Sequence, residues 1–394
     1  MQDLFCCALI HPDLVASLEA VLPEITGREP TGDGEARRSG RFGIAVQGQR
    51  VVRFWAVILK SALFARITVY GLLCILLIAG VEAVGKIVFK DRLYVVNDVD
   101  HRMRAGSAPD LNADGIRSPR EPEEFGRDGL NIIFLGDSFV YGDQLKSEDS
   151  IPALLERIAR RQLQRNDIRV ANFGWPSSSP LLSLRLLRDI GKKYHPRVVL
   201  LAIDMTDFSD DIKYRRLLER RGVYRMLDYT PVTFLSIHKM VSTVPAFHGI
   251  HDRVFGFPAR RFFITDGPLD ENRHHYADIE RNIHEIYRYT TNELGARFVL
   301  FVFPRTYQYS NRESPRNWEA SEYEPLGPHS EEPFRYFHEL RRRAPYPIHS
   351  LLDDFRKARV FPTAFDDDPH WNEAGAQVAA DALYRYCGQA ACFH

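Results

Sequence analysis

Alternation of apolar strand-like runs with amphipathic helical stretches constrains this chain more than any other feature. Asn131-Ile132-Ile133-Phe134-Leu135 is a short apolar run closed by Gly136, the pattern of a strand buried on both faces of a parallel sheet. A helical pattern follows over 151–163, then a strand over 168–173, a helix over 181–192 and a strand over 197–203. A stretch rich in aromatics and arginines, over about 208–275, interrupts the alternation and reads as an insertion. Ile279, Ile283, Ile286 and Leu294 then share one helix face, a strand follows over 297–303, and a last helix runs over 373–386. Strands alternating with helices predict an α/β domain with a doubly wound, flavodoxin-like, mostly parallel sheet covered by helices on both faces. Ligands of such sheets bind at the carboxyl ends of the strands.

Ahead of this domain lies a different signal. From Ile67 to Val81 the chain is almost wholly apolar, and extension toward Phe64 and Phe89 supplies the roughly 20 residues that a spanning helix needs, and more. A buried core helix is the competing reading of such a run. Arg50, Arg53, Lys60 and Arg66 precede it, whereas Lys86, Lys90 and Arg92 follow it in company with Glu82, Asp91, Asp98 and Asp100. The positive-inside rule then predicts a single-pass anchor with its N-terminus inside and the rest of the chain on the periplasmic or outer face. The expected organisation is a tail over 1–50, cytoplasmic or the product of a start assigned too far upstream, an anchor over 51–90, a proline-containing linker over 91–128 and a domain over 129–394.

With 394 residues there is room for a large core. Lys+Arg and Asp+Glu are equal at 52 each, so no basic field favours nucleic acid. None of the five cysteines has metal-site spacing, and Cys387 and Cys392 are open between a small disulfide loop and two free thiols.

Gly136-Asp137-Ser138-Phe139 directly follows the first strand and places Ser138 at the carboxyl edge of the sheet, where a turn enters a helix. A serine there becomes a nucleophile only if a base takes its proton. Asp367-Asp368-Pro369-His370-Trp371-Asn372 stands ahead of the final helix, and an aspartate three residues before the histidine could orient the imidazole. At these residues the sequence resembles the GDSL/SGNH hydrolases, most closely their bacterial members with an N-terminal membrane anchor, over about 131–386. The resemblance implies Ser138 as nucleophile, His370 as general base and acid, Asp367 as its partner, and the Ser138 amide as one oxyanion donor. It also implies further oxyanion donors at Ser177, in Asn172-Phe173-Gly174-Trp175-Pro176-Ser177, and at Thr206, in Asp204-Met205-Thr206-Asp207. Both blocks depart from the family, which has glycine at the first position and asparagine at the second. No cofactor or metal is implied.

Three further features have a structural reading first. The arginines 215, 216, 220, 221 and 225 read as a solvated helix face, with an anionic polymer or a lipid headgroup as the alternative; His274-His275 lacks metal-ligand spacing; and Tyr307, Tyr309, Trp318 and Tyr323 pack a long loop, with stacking on sugar rings as the alternative. The expected activity is esterase chemistry on O-acyl groups, O-acetyl groups of cell-surface polysaccharide above all. An O-acyltransferase using the same triad and a catalytically impaired glycan-binding module are the alternatives.

Overall fold

The computed structural model describes residues 64–84, 110–219 and 260–393. The tail, most of the linker and residues 220–259 of the expected insertion lie outside these, and Arg220, Arg221 and Arg225 with them. The first described helix is α1 (Phe64–Val84). It has 21 residues with a hydropathy of 2.3 and is by length and composition able to cross a membrane. Its apolar side chains, Leu72, Leu76 and Leu77 among them, are exposed, which the core-helix reading does not expect.

The domain is a five-stranded, fully parallel sheet in the order β2-β1-β3-β4-β5. Its strands are β1 (Leu130–Gly136), β2 (Ile168–Gly174), β3 (Val198–Ile203), β4 (Arg297–Val302) and β5 (Ile348–Ser350). Alternate residues of β1 serve two cores. Ile133 and Leu135 face a layer made by α4 (Pro180–Ile190), α6 (Leu269–Asn292) and α8 (Glu332–Leu340). Ile132 and Phe134 face a second layer made by α3 (Ile151–Leu163), α9 (Leu352–Arg356) and α10 (Glu373–Gln389). All four side chains are fully buried, at about 1.5–3 kcal/mol each. β1 therefore carries an unbroken apolar run from Ile132 to Leu135, because both its faces are covered.

The register aligns Gly136 of β1 with Gly174 of β2, so the loops leaving these strands emerge side by side. The chain order reverses across β1, between β2 on one side and β3 on the other, which is the switch point where such sheets open a crevice. Gly174 has a local reason to be glycine. A Cβ there would lie 2.2 Å from the Tyr141 nitrogen, in the short helix α2 (Ser138–Tyr141), so the end of β2 and the turn after β1 touch backbone to backbone.

Two segments behave differently from the sequence reading. Residues 110–128 are packed onto the domain rather than spanning free as a linker: Asn112, Ile116, Ser118 and Phe125 are buried, and the Phe125 ring meets Tyr194 edge-on at 4.8 Å. Polar, proline-marked sequence hid four buried anchor points spaced without a period. The flanks of the expected insertion also belong to the core. Phe208 and Tyr214 on α5 (Asp207–Leu218), and Phe262 and Ile264 after residue 259, are buried. The sequence reading lacks strand β5 and the helices α7 (Thr306–Tyr309) and α8, β5 and α7 because three or four residues are too few to show a period. Cys387 and Cys392 are free, buried thiols whose side chains interact, and this contact together with burial pushes the Cys387 thiol up.

Candidate active site

The site grows from the carboxyl end of β1. Asp137 caps α2, accepting the Phe139 N–H at 3.0 Å, and Ser138 is the first residue of that helix. The sharp exit from the strand leaves Ser138 half-buried at the sheet edge while Phe139 and Val140 turn inward. The Ser138 hydroxyl lies 2.7 Å from His370 Nε2, across 232 residues of chain.

His370 sits on the loop ahead of α10, held from several directions. Trp371 is buried against Phe139, Phe303 and Phe355, with Phe355 stacked on it at 4.2 Å. Asn372 caps α10, accepting the Gly375 N–H at 3.1 Å, and donates to the carbonyls of Pro362 and Ala364. The Glu313 carboxylate in turn accepts the Thr363 N–H and hydroxyl and the Ala364 N–H, at 2.8–3.2 Å. Ser314 Oγ donates to the Asp368 carbonyl at 2.7 Å. A buried carboxylate satisfied by several donors fixes its partners firmly, so the imidazole is placed before any substrate arrives.

The carboxylate that meets the imidazole is Asp368. Its Oδ1 is hydrogen-bonded to His370 Nδ1 and also accepts the His370 N–H at 3.0 Å. Asp367, the partner expected from the sequence, is exposed, and the bond to the imidazole is made by its neighbour. The physical reason is the bend at Pro369: an aspartate two residues before the histidine closes a tight side-chain turn onto that histidine's own N–H, and this turn carries the preceding residue outward. Burial pushes the Asp368 carboxyl up, but the hydrogen bond and charge of His370, helped by the Trp318 side chain, hold it below its ordinary value. It stays ionised to orient the imidazole and to stabilise it once charged.

The oxyanion side departs further from expectation. Ser177 sits in a turn closed by the Ser178 N–H on the Trp175 carbonyl at 3.0 Å, with Pro176 at its second position. The third position of such a turn takes positive φ, and Ser177 has φ 57°. The serine therefore adopts the left-handed backbone that a glycine would take freely, at about 1–2 kcal/mol. Neither the Ser138 N–H nor the Ser177 N–H donates to a protein acceptor among the described residues. Thr206 is no such donor. Its hydroxyl and its N–H both donate to Asp204 Oδ1, each at 2.6 Å, and it is buried. Asp204 opens its loop with the same two-residue side-chain turn, which absorbs the group that the aligned position would have offered.

Behind the site lies a buried charge network missed by sequence reasoning. Arg305, after β4, donates to Asp204 Oδ2 at 2.8 Å and pairs with Glu319, and its guanidinium lies 5.1 Å from the Phe139 ring centre. The carboxylate oxygens of Asp137, Asp204 and Asp207 lie within 4.8 Å of one another. Burial, with the charges of neighbouring aspartates added, pushes Asp137 and Asp207 well up, whereas Arg305 and the Thr206 donors hold Asp204 below its usual value against burial. Arg305 and the Thr206 donors thus offset the charge of Asp204 within the cluster.

Of the four aromatics after β4, Tyr307 and Tyr323 stack on each other at 4.4 Å inside the fold, and Tyr309 bonds to Thr363. Trp318 is 57% exposed beside Asp368. The rings of His274 and His275 meet at a tilt of 41° in α6, and Arg215 pairs with Asp278 and Asp211.

The chain is similar to solved proteins of the G-D-S-L lipolytic family. One such member from Veillonella parvula shares 10% identity at a TM-score of 0.36, over 65% of this chain and 96% of its own. The esterase EstA from Pseudoalteromonas sp. shares 15% at 0.36, over 66% and 97%. A carbohydrate acetylesterase family member from Sinorhizobium meliloti shares 11% at 0.37, over 66% and 97%. No family model and no curated protein matches the sequence.

Proposed function

We propose that this protein is a membrane-anchored, extracytoplasmic serine esterase of the GDSL/SGNH type that removes O-acyl groups, O-acetyl above all, from surface polysaccharide. One observation carries the reading: His370 bridges Ser138, at 2.7 Å, and the Asp368 carboxylate. His370 Nε2 takes the Ser138 proton as Oγ attacks the ester carbonyl. The tetrahedral oxyanion forms against the Ser138 and Ser177 amides, and the imidazolium, paired with Asp368, returns its proton to the departing alkoxide. Water, activated by the same imidazole, then attacks the acyl-serine, releasing the carboxylic acid and restoring the hydroxyl. A sugar hydroxyl in place of water makes the same steps an acyl transfer. Exposed Trp318 beside Asp368 supports a sugar-bearing substrate, because an indole that is partly open to solvent, with Arg261 over its ring at 5.6 Å, suits the apolar face of a pyranose. The apolar α1 and the basic residues ahead of it support the anchored, outward-facing placement.

A second reading, a glycan-binding module without catalysis, is favoured by one observation: Thr206 is committed to Asp204, leaving two amides to hold the oxyanion. Loss of one donor costs about 10²–10³ in rate. Reaction of the detergent-purified chain with a fluorophosphonate probe decides. Labelling of wild type but not of Ser138→Ala or His370→Ala is the expected result; a folded wild type that does not label leaves the binding module.

A further inference from the structure

Helix α2 has four residues, too few to hold itself, and its C-terminal carbonyls need donors from elsewhere. They receive them from Arg117, in the packed segment ahead of β1, and from Asn172 at the end of β2, which donates to the Tyr141 carbonyl at 3.2 Å. Its Nη1 donates to the carbonyls of Tyr141 at 3.0 Å and Gly142 at 2.6 Å, and its Nη2 to that of Leu145 at 2.7 Å. Its guanidinium carbon lies 4.9 Å from the Tyr141 ring centre, and its Nε is held by Asp110 at 2.6 Å. The Arg117 side chain is 9% exposed. Gly142 ends α2 in the left-handed conformation, at φ 81°, and turns its carbonyl to this arginine. Ser138, Gly142, Leu145 and His370 line one small open pocket beside the nucleophile. One planar cation thus fixes both the helix that presents Ser138 and the loop that walls the cavity.

The segment bearing Arg117 is itself pinned at points that do not touch α2. Asn112 donates to the Tyr194 hydroxyl at 2.9 Å, and Arg120 makes a two-pronged pair with Glu156 at 2.6 and 2.7 Å. Arg117 is therefore held on a rigid platform and reaches from it to the nucleophile turn.

We infer that Arg117 is a positioning residue for Ser138, so that the segment preceding the sheet is a working part of the active site. The inference rests on Ser138 being the nucleophile. A planar guanidinium presents its donors in a rigid fork that spans three separated carbonyls, whereas an ammonium is a compact point charge on a flexible stem, and a displacement of about 1 Å at a reacting group costs about 10² in rate.

The full-length chain in detergent, as wild type, Arg117→Ala, Arg117→Lys and Arg120→Ala, is followed by fluorophosphonate labelling rate, by kcat and KM on an activated acetyl ester, and by thermal midpoint. Arg117→Ala is expected to lose about 10²-fold in labelling rate and in kcat, with KM changed far less, and to recover several-fold on adding free guanidinium ion. Arg117→Lys falls between it and wild type. Arg120→Ala, which loosens the same segment without touching α2, keeps its labelling rate at a comparable loss of midpoint. Wild-type labelling of Arg117→Ala overturns the inference, as does a loss no larger than that of Arg120→Ala without guanidinium rescue. If the alanine variant does not fold, Arg117→Lys decides in the same sense: slowed labelling supports the inference and wild-type labelling overturns it. Absence of labelling in wild type removes the esterase reading itself, a result separate from any difference between the variants.

Discussion

Asp368→Asn, compared with Asp367→Asn, is the sharpest test of the site. In the reaction the imidazole becomes a cation whose Nδ1–H points at Asp368 Oδ1, and the side chain of Asp368 is only 19% exposed. Two unit charges about 4 Å apart at an effective dielectric of about 20 attract by about 4 kcal/mol. Removing the carboxylate charge therefore raises the barrier by about 4 kcal/mol, which is about a thousandfold in rate. The loss is larger if the amide of the asparagine turns its NH₂ to the ring and imposes the wrong tautomer. Asp367 is exposed and solvated, so its neutralisation changes kcat by less than about twofold. The assay is kcat on an activated acetyl ester for the full-length chain, with thermal midpoints measured in parallel to show that both variants fold. A drop in Asp367→Asn as deep as that in Asp368→Asn, or an Asp368→Asn variant keeping a tenth of its activity or more, refutes the assignment.

Trp318→Ala should raise KM for an acetylated polysaccharide by about tenfold, corresponding to about 1–1.5 kcal/mol of ring stacking, and leave KM for a small activated ester unchanged; equal effects on both would sink the sugar-platform reading. Arg305→Met strands the buried carboxylates of Asp204 and Glu319 and should destabilise the domain by about 3–5 kcal/mol, read as a shift of the denaturant midpoint, and a shift below about 1 kcal/mol would show that the network is not held by this arginine. His349 stacks between Phe301 and Tyr386, and burial lowers its pKa to about 4. The folded state therefore keeps this imidazole neutral, so its contribution is full above the ordinary histidine pKa of about 6.5 and falls away between there and pH 4, by about 2 kcal/mol at pH 5. His349→Phe keeps the stack and should flatten the decline in stability between pH 7 and pH 5; an unchanged decline would assign the acid sensitivity to another group.

Periodicity in the sequence was enough to place four of the five strands, their helices and the apolar helix at 64–84. Hydrophobic period is a local property, and a strand buried on both faces or a helix with one apolar face has to write it into consecutive residues. Ser138 and His370 were visible for the same reason, each standing directly beside a strongly patterned element, β1 or α10. What the sequence could not decide was direction. Asp367 and Asp368 are adjacent and chemically identical, and the turn at Pro369 selects between them through contacts with Glu313 and Ser314, some 50 residues away in the chain. Thr206 aligns with a donor position, yet its hydroxyl is captured by Asp204, itself oriented by Arg305 from the far side of β4. Arg117 lay in a stretch with no period at all, and its role depends on where the C-terminus of α2 falls in space. Burial and pattern are set residue by residue along the chain. The aim of a polar side chain is set by whichever partners the folded sheet brings to it, and only the tertiary structure supplies those.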